Sequence, residues 1–227
     1  LDALLSALVA AKADLDAQNK DGATALMMTA RENQWVIAEW LLSAGASANV
    51  TDPDGWTALM YAAYNGSGLV SKALLAAKAD PVRKDKDGWD ALLLAISTGN
   101  GGIAATLVAA GATVPKSAPS ANTPLQLAVM SGDLASTRLV LKNQPDLGAA
   151  DSQGWTPLGI AANNGLPQIV MELLRAGADR DAKDKEGKTA LARATDNQEA
   201  EVIALLGGAW DKPQPAGGTT IDVPCPI

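Results

Sequence analysis

The chain of 227 residues carries 18 Lys and Arg against 25 Asp and Glu, a net charge of −7, with 48% hydrophobic residues, no His and one Cys. That composition leaves no Ser-His-Asp or Cys-His catalytic arrangement, no zinc site of the Cys/His kind and no intrachain disulfide. The negative charge argues against a nucleic-acid partner and favours a basic one, and no apolar run of about 18 residues is present to span a membrane.

The chain opens at Leu1 rather than Met, so residues upstream are expected. The compartment stays open between the cytoplasm and export with a removed leader. Leu1 to Lys12 reads as the second helix of a partial unit, at 1–18, whose first helix lies before Leu1.

Two patterns recur every 33 residues along the chain. Thr24, Thr57, Thr123, Thr156 and Thr189, with Asp90 in the one gap, each precede a Leu by two residues: Leu26, Leu59, Leu125, Leu158, Leu191 and, after Asp90, Leu92. A second landmark, Leu8, Leu41, Leu74, Leu107, Val140, Leu173 and Leu206, keeps the same interval. A fixed period of this length is the mark of a repeat architecture in which each unit buries its apolar face on its neighbours.

One unit shows the physics. Asp52-Pro53-Asp54-Gly55 is turn chemistry, with Gly55 free to take a positive φ. Thr57 caps a short helix holding Leu59, Ala62 and Ala63, whose small side chains permit close stacking. Asn65-Gly66 ends that helix, and Leu69 to Ala77 forms a second with Val70, Leu74 and Leu75 on one side. Asp85-Lys86-Asp87-Gly88 has a faint look of a calcium loop. It lacks the further ligands such a loop needs and reads as the recurring turn.

The motif Asp151-Ser152-Gln153-Gly154-Trp155-Thr156-Pro157-Leu158, with Ala176-Gly177-Ala178-Asp179 after it, resembles the ankyrin repeat family. Ala44-Gly45-Ala46 and Ala110-Gly111-Ala112 repeat the closing motif, and the resemblance covers residues 1–209. It implies an all-α solenoid of stacked helix-turn-helix units joined by short β-hairpin-like loops. Six complete units run from 19 to 209, beginning near Asn19, Asp52, Asp85, Ala118, Asp151 and Asp184. The family's His after Thr-Pro-Leu, which bonds between adjacent loops, is absent. Met27, Met60, Leu93, Gln126, Gly159 and Ala192 stand there, so the loops are expected to be held differently.

The fourth unit departs most. Ala121 replaces the turn Gly, Pro115 and Pro119 flank the turn, and Gln144-Pro145 replaces Gly-Ala. A local weak point is expected there, and Ala121 is expected at a positive φ that Gly would relieve.

The family's inner, concave face implies where a partner docks. Trp56, Trp89 and Trp155 share the position after the turn Gly. Each ring either covers its own hairpin or joins a partner-contacting stripe, and we carry the stripe forward because Trp is enriched in binding hot spots. The residues ending each first helix vary from unit to unit, as a recognition surface would. Arg31, Glu32, Tyr64, Met130, Asn163 and Asn164 are the candidates. Trp40 is expected to pack on its helix. The acidic turn residues Asp21, Asp52, Asp54, Asp85, Asp87, Asp151 and Asp184 mostly serve the turns, while their summed field favours a basic partner.

Residues 210–227, rich in Pro and Gly, form a tail expected to fold back on the apolar side of the last unit, and its Cys225 is incidental. The resemblance implies a monomeric, non-catalytic module that binds another protein without metal or cofactor. It acts as an adaptor or scaffold or, through the same surface, as a dedicated inhibitor of a toxin or enzyme.

Overall fold

A computed structural model describes residues 10–208. The N-terminal helix expected at residues 1–12 falls almost wholly outside that range, and the tail expected at 210–227 lies outside it entirely. Among the described residues the helices come in six pairs: α1 (Ala25–Arg31) and α2 (Trp35–Ser43); α3 (Ala58–Tyr64) and α4 (Gly68–Ala76); α5 (Ala91–Ser97) and α6 (Gly101–Ala109); α7 (Pro124–Met130) and α8 (Leu134–Leu141); α9 (Pro157–Asn163) and α10 (Pro167–Ala176); α11 (Ala190–Asp196) and α12 (Ala200–Gly207). The second helix of the second unit sits one residue earlier than its apolar pattern suggests, because left-handed Gly66 and N-cap Ser67 start it at Gly68.

Each first helix begins the same way. Thr24, Thr57, Thr123, Thr156 and Thr189 hold extended backbone and accept a hydrogen bond from the N–H three residues on. Asp90 does this with its carboxylate, accepting from Leu93 N at 2.8 Å. Asp90 is buried, and that burial pushes its carboxyl above the ordinary value of 3.8.

Left-handed residues punctuate the chain at the same interval. Lys12, Gly45, Lys78, Gly111, Gln144 and Gly177 end the second helices, and Asn33, Gly66, Gly99, Gly132, Gly165 and Gln198 end the first ones. Gln144 therefore adopts the conformation of the Gly it replaces.

First helices stack on first helices and second on second, giving two layers. Leu26, Leu59, Leu92, Leu125 and Leu158 from the first layer meet Leu41, Leu74, Leu107, Val140, Leu173 and Leu206 from the second, and all are buried. Each such side chain stabilises by about 1.5–3 kcal/mol when removed from water. The stack has no centre, so its stability is a chain of neighbour interfaces.

The loops joining units share one device. The first residue of the loop accepts two backbone N–H groups on its Oδ1: Asn19 from Asp21 and Ala23, Asp52 from Asp54 and Trp56, Asp85 from Asp87 and Trp89, Asp151 from Gln153 and Trp155, Asp184 from Glu186 and Lys188. Asp85 thus holds a turn, as expected. The fourth unit has Ala118 at this place and nothing to gather those N–H groups. Its loop takes another path, and Ala121 is not at positive φ, contrary to the expectation for it. Beside that unit a cavity of about 280 Å³ opens between Pro115, Pro124, Val140 and Pro145. Nearby, the Ser136 hydroxyl is buried without a hydrogen-bond partner among the described residues, at a repeat position held by Val70, Ile103, Ile169 and Val202 in other units.

Loop-to-loop contacts take the place of the missing His. Lys86 N donates to Asp54 O at 3.0 Å and Lys185 N to Gln153 O at 3.2 Å. Gln126, fully buried at the family's His position, donates from Nε2 to Ala149 O and Trp155 O at 3.1 and 3.2 Å while its Oε1 accepts from Thr123 N.

Candidate binding face

The candidates from the sequence belong to the loops and to the ends of the first helices. Trp56, Trp89 and Trp155 follow the loop because the Oδ1 of the loop Asp fixes their backbone N–H. All three are partly buried and pack against the core. Each ring therefore has a structural share, with only its remaining surface open to a partner.

The rings do not form one continuous strip. Trp56 packs on aromatic side chains of its own unit, 5.0 Å from Tyr61 at 52° and 5.7 Å from Tyr64 at 69°, both favourable tilted geometries. Among the described residues Trp89 has no aromatic neighbour of this kind, and Trp155 is met by a cation, with the Arg193 guanidinium 4.7 Å from its ring centre.

The helix-end candidates divide. Arg31, Glu32 and Asn164 are exposed, and Tyr64 and Met130 are large apolar side chains left 49% and 52% exposed. Asn163 is instead partly occupied, since its O and Oδ1 both accept from Asn197 Nδ2 of the next unit, at 2.8 and 2.9 Å. The structure groups Trp56 with Tyr64, and it groups Met130, Trp155 and Asn164 around one cavity of about 250 Å³ that Asp151, Gln153 and Ile160 complete.

Sequence reasoning passed over one repeat position: Met28, Tyr61, Leu94, Leu127, Ile160 and Arg193, each 33 residues apart. In two units this side chain is polar and meets the second oxygen of the loop Asp. Tyr61 Oη donates to Asp52 Oδ2 at 2.7 Å, and burial, then that bond, pushes its phenol up to about 12. Arg193 donates from Nε to Asp184 Oδ2 at 2.7 Å, its Nη2 lying 2.5 Å from the same oxygen and 3.1 Å from Glu186 Oε2. Burial works against ionisation of Asp184, but the Lys188 N–H, the Arg193 guanidinium and the Glu186 N–H together hold its carboxyl below the ordinary range. The signal was available, a polar residue at an otherwise apolar repeat position.

The acidic field is weaker than the count of turn residues suggests. Asp52, Asp85, Asp151 and Asp184 are engaged by their turns, and at three of the tips an acid sits beside a Lys, as Lys20-Asp21, Lys86-Asp87 and Lys185-Glu186. On the opposite, second-helix face, Trp40 packs against the core as expected, whereas Trp35, Val36 and Leu69 are 44%, 51% and 55% exposed. No described helix is long and apolar enough to cross a membrane.

Comparison with known proteins agrees with this geometry. A family model described as ankyrin repeats, in three copies, matches residues 2–85, 32–118 and 125–212. The crystal structure of the ankyrin repeat domain of Bcl-3, described as a unique member of the IkappaB protein family, is similar at 26% identity and a TM-score of 0.64, covering 88% of this chain and 90% of that one. The human ASB11 ankyrin repeat domain shares the fold, at 21% identity and a TM-score of 0.73, with 93% of each chain covered. No curated protein matches the chain in sequence.

Proposed function

The chain belongs to the ankyrin repeat family, whose members are in general non-catalytic modules that bind other proteins, and on that premise we propose that this chain is an adaptor or scaffold docking one protein partner on its loop and first-helix face. The observation that carries this is the exposure of Tyr64 and Met130, two large apolar side chains that the core does not need, each beside a partly open Trp of the same face. Apolar and aromatic anchors ringed by variable polar residues are the make-up of a binding hot spot. The polar surround here is Arg31, Glu32, Asn163 and Asn164.

The test is site-specific photo-cross-linking in the native cell. A photoreactive residue at 64 or 130 is expected to trap the same partner, while the same residue at Val36 or Leu69, equally exposed on the opposite face, is expected to trap none. Trapping from 36 and 69 alone would place the interface on the second helices and overturn the proposal.

A further inference from the structure

The loop carboxylates differ in how their second oxygen is used. Asp52 Oδ2 accepts from Tyr61, and Asp184 Oδ2 from Arg193, whose guanidinium also lies against Trp155. In the fifth unit the same repeat position is Ile160. Asp151 Oδ1 still gathers the N–H groups of Gln153 and Trp155, but among the described residues no side chain donates to its Oδ2. Asp151 lines the cavity of about 250 Å³ formed with Met130, Gln153, Trp155, Ile160 and Asn164.

We propose that this cavity receives an arginine side chain of the bound protein, its guanidinium donating to Asp151 Oδ2 and its methylene stem lying on Met130 and Ile160 beside the Trp155 ring. The inference rests on the reading of this face as the docking surface and adds the chemistry of one subsite. Charge complementarity selects the occupant. An apolar side chain would strip water from a carboxylate and return no donor, which is unfavourable. A guanidinium returns a charge-assisted bond and a flat surface for the indole. The chain already shows a guanidinium in such a role: Arg193 donates to Asp184 Oδ2 and lies 4.7 Å from the centre of this same Trp155 ring. The net charge of −7 acts in the same direction at longer range.

The experiment titrates N-acetyl-arginine amide into the full chain and follows the Trp155 indole N–H and the backbone amides of 151–155 and 164 by proton–nitrogen NMR, with N-acetyl-norleucine amide as the uncharged comparator. Saturable shifts confined to these groups are expected, with the arginine amide bound at least about tenfold more tightly than norleucine, and with about tenfold loss in Asp151→Asn. That variant keeps the loop, because Asn19 Oδ1 holds the first unit's loop with the same pair of N–H bonds. Ile160→Arg supplies the guanidinium from within the chain and should abolish the shifts. Equal binding of the norleucine amide, undiminished binding to Asp151→Asn, or no saturable shift at all would overturn the proposal. None of these results involves a protein partner, so they leave the docking face to its own cross-linking test.

Discussion

Two adjacent glycines at the start of α6 should respond to alanine with opposite signs. Gly101 is buried where the third unit meets the fourth. A Cβ there would lie 2.2 Å from Asp133 Oδ2, 2.7 Å from Ala135 Cβ and 2.9 Å from Ser136 N. The Asp133 side chain cannot simply swing away, because it caps α8 by accepting from Ser136 N at 2.7 Å. The backbone of α8 would have to retreat. Overpacking of this kind costs about 1–3 kcal/mol, and loss of the cap about 1 kcal/mol more. The gain from restricting the unfolded chain is only about 0.4–1 kcal/mol. Gly101→Ala should therefore be net destabilising by about 1–3 kcal/mol. At Gly102 a Cβ meets nothing within 4 Å, so Gly102→Ala should keep the gain and stabilise by about 0.4–1 kcal/mol. Urea unfolding followed by tryptophan fluorescence reads both, with an unchanged slope showing that the midpoint shifts are stability changes. Equal shifts of the same sign would refute the close approach of these two units.

Asp90→Thr restores the Thr cap of the other five units and removes a buried charge, and such consensus changes commonly gain about 0.5–2 kcal/mol. Because burial raises the Asp90 carboxyl, the folded state holds the proton more tightly, and stability falls as pH rises from 3.8 through the folded value. The gain should therefore be largest at neutral pH and shrink in acid; a pH-independent gain in denaturant midpoints would show that the charge is not its cause. Gln126→Ala should cost about 1–3 kcal/mol by removing the donor to the Ala149 carbonyl and leaving the Trp155 carbonyl only its bond from Asp151 N, and Gln126→His should recover part of that; equal midpoints for the two variants would deny the side chain its bridging role. Ser136→Ala should stabilise by about 1 kcal/mol, since it removes a buried hydroxyl without a partner; a loss in the same assay would reveal a bond the hydroxyl makes in solution.

The architecture was legible in the sequence because it is periodic. Thr57 and its equivalents cap each first helix, Gly66 ends the one that Thr57 starts, and Leu59 and Leu74 lie in the core, all from spacing alone. The fourth unit was legible as irregular but not in its cause. Attention fell on Ala121, whereas the missing group is the carboxylate that Ala118 lacks, and without it the loop never reaches the turn in which residue 121 would be left-handed.

The binding face was only partly legible. Its members share a repeat position, which sequence shows, but the depth to which each Trp is buried depends on what the neighbouring unit places beside it. Arg193 against Trp155 and Gln126 reaching the next loop are such neighbours, and no local motif announces them. Asn163 looked like a free recognition residue until Asn197 of the following unit was found bonded to it.

Hydrogen exchange on the complex with the cross-linked partner tests the central claim most directly. Backbone amides of the loops and first-helix ends, at residues 52–65, 85–98, 118–131 and 151–164, should gain protection on binding, while α2, α4, α6, α8 and α10 stay unchanged. Protection confined to the second helices, around Trp35, Val36 and Leu69, would contradict the account and move the interface to the opposite face.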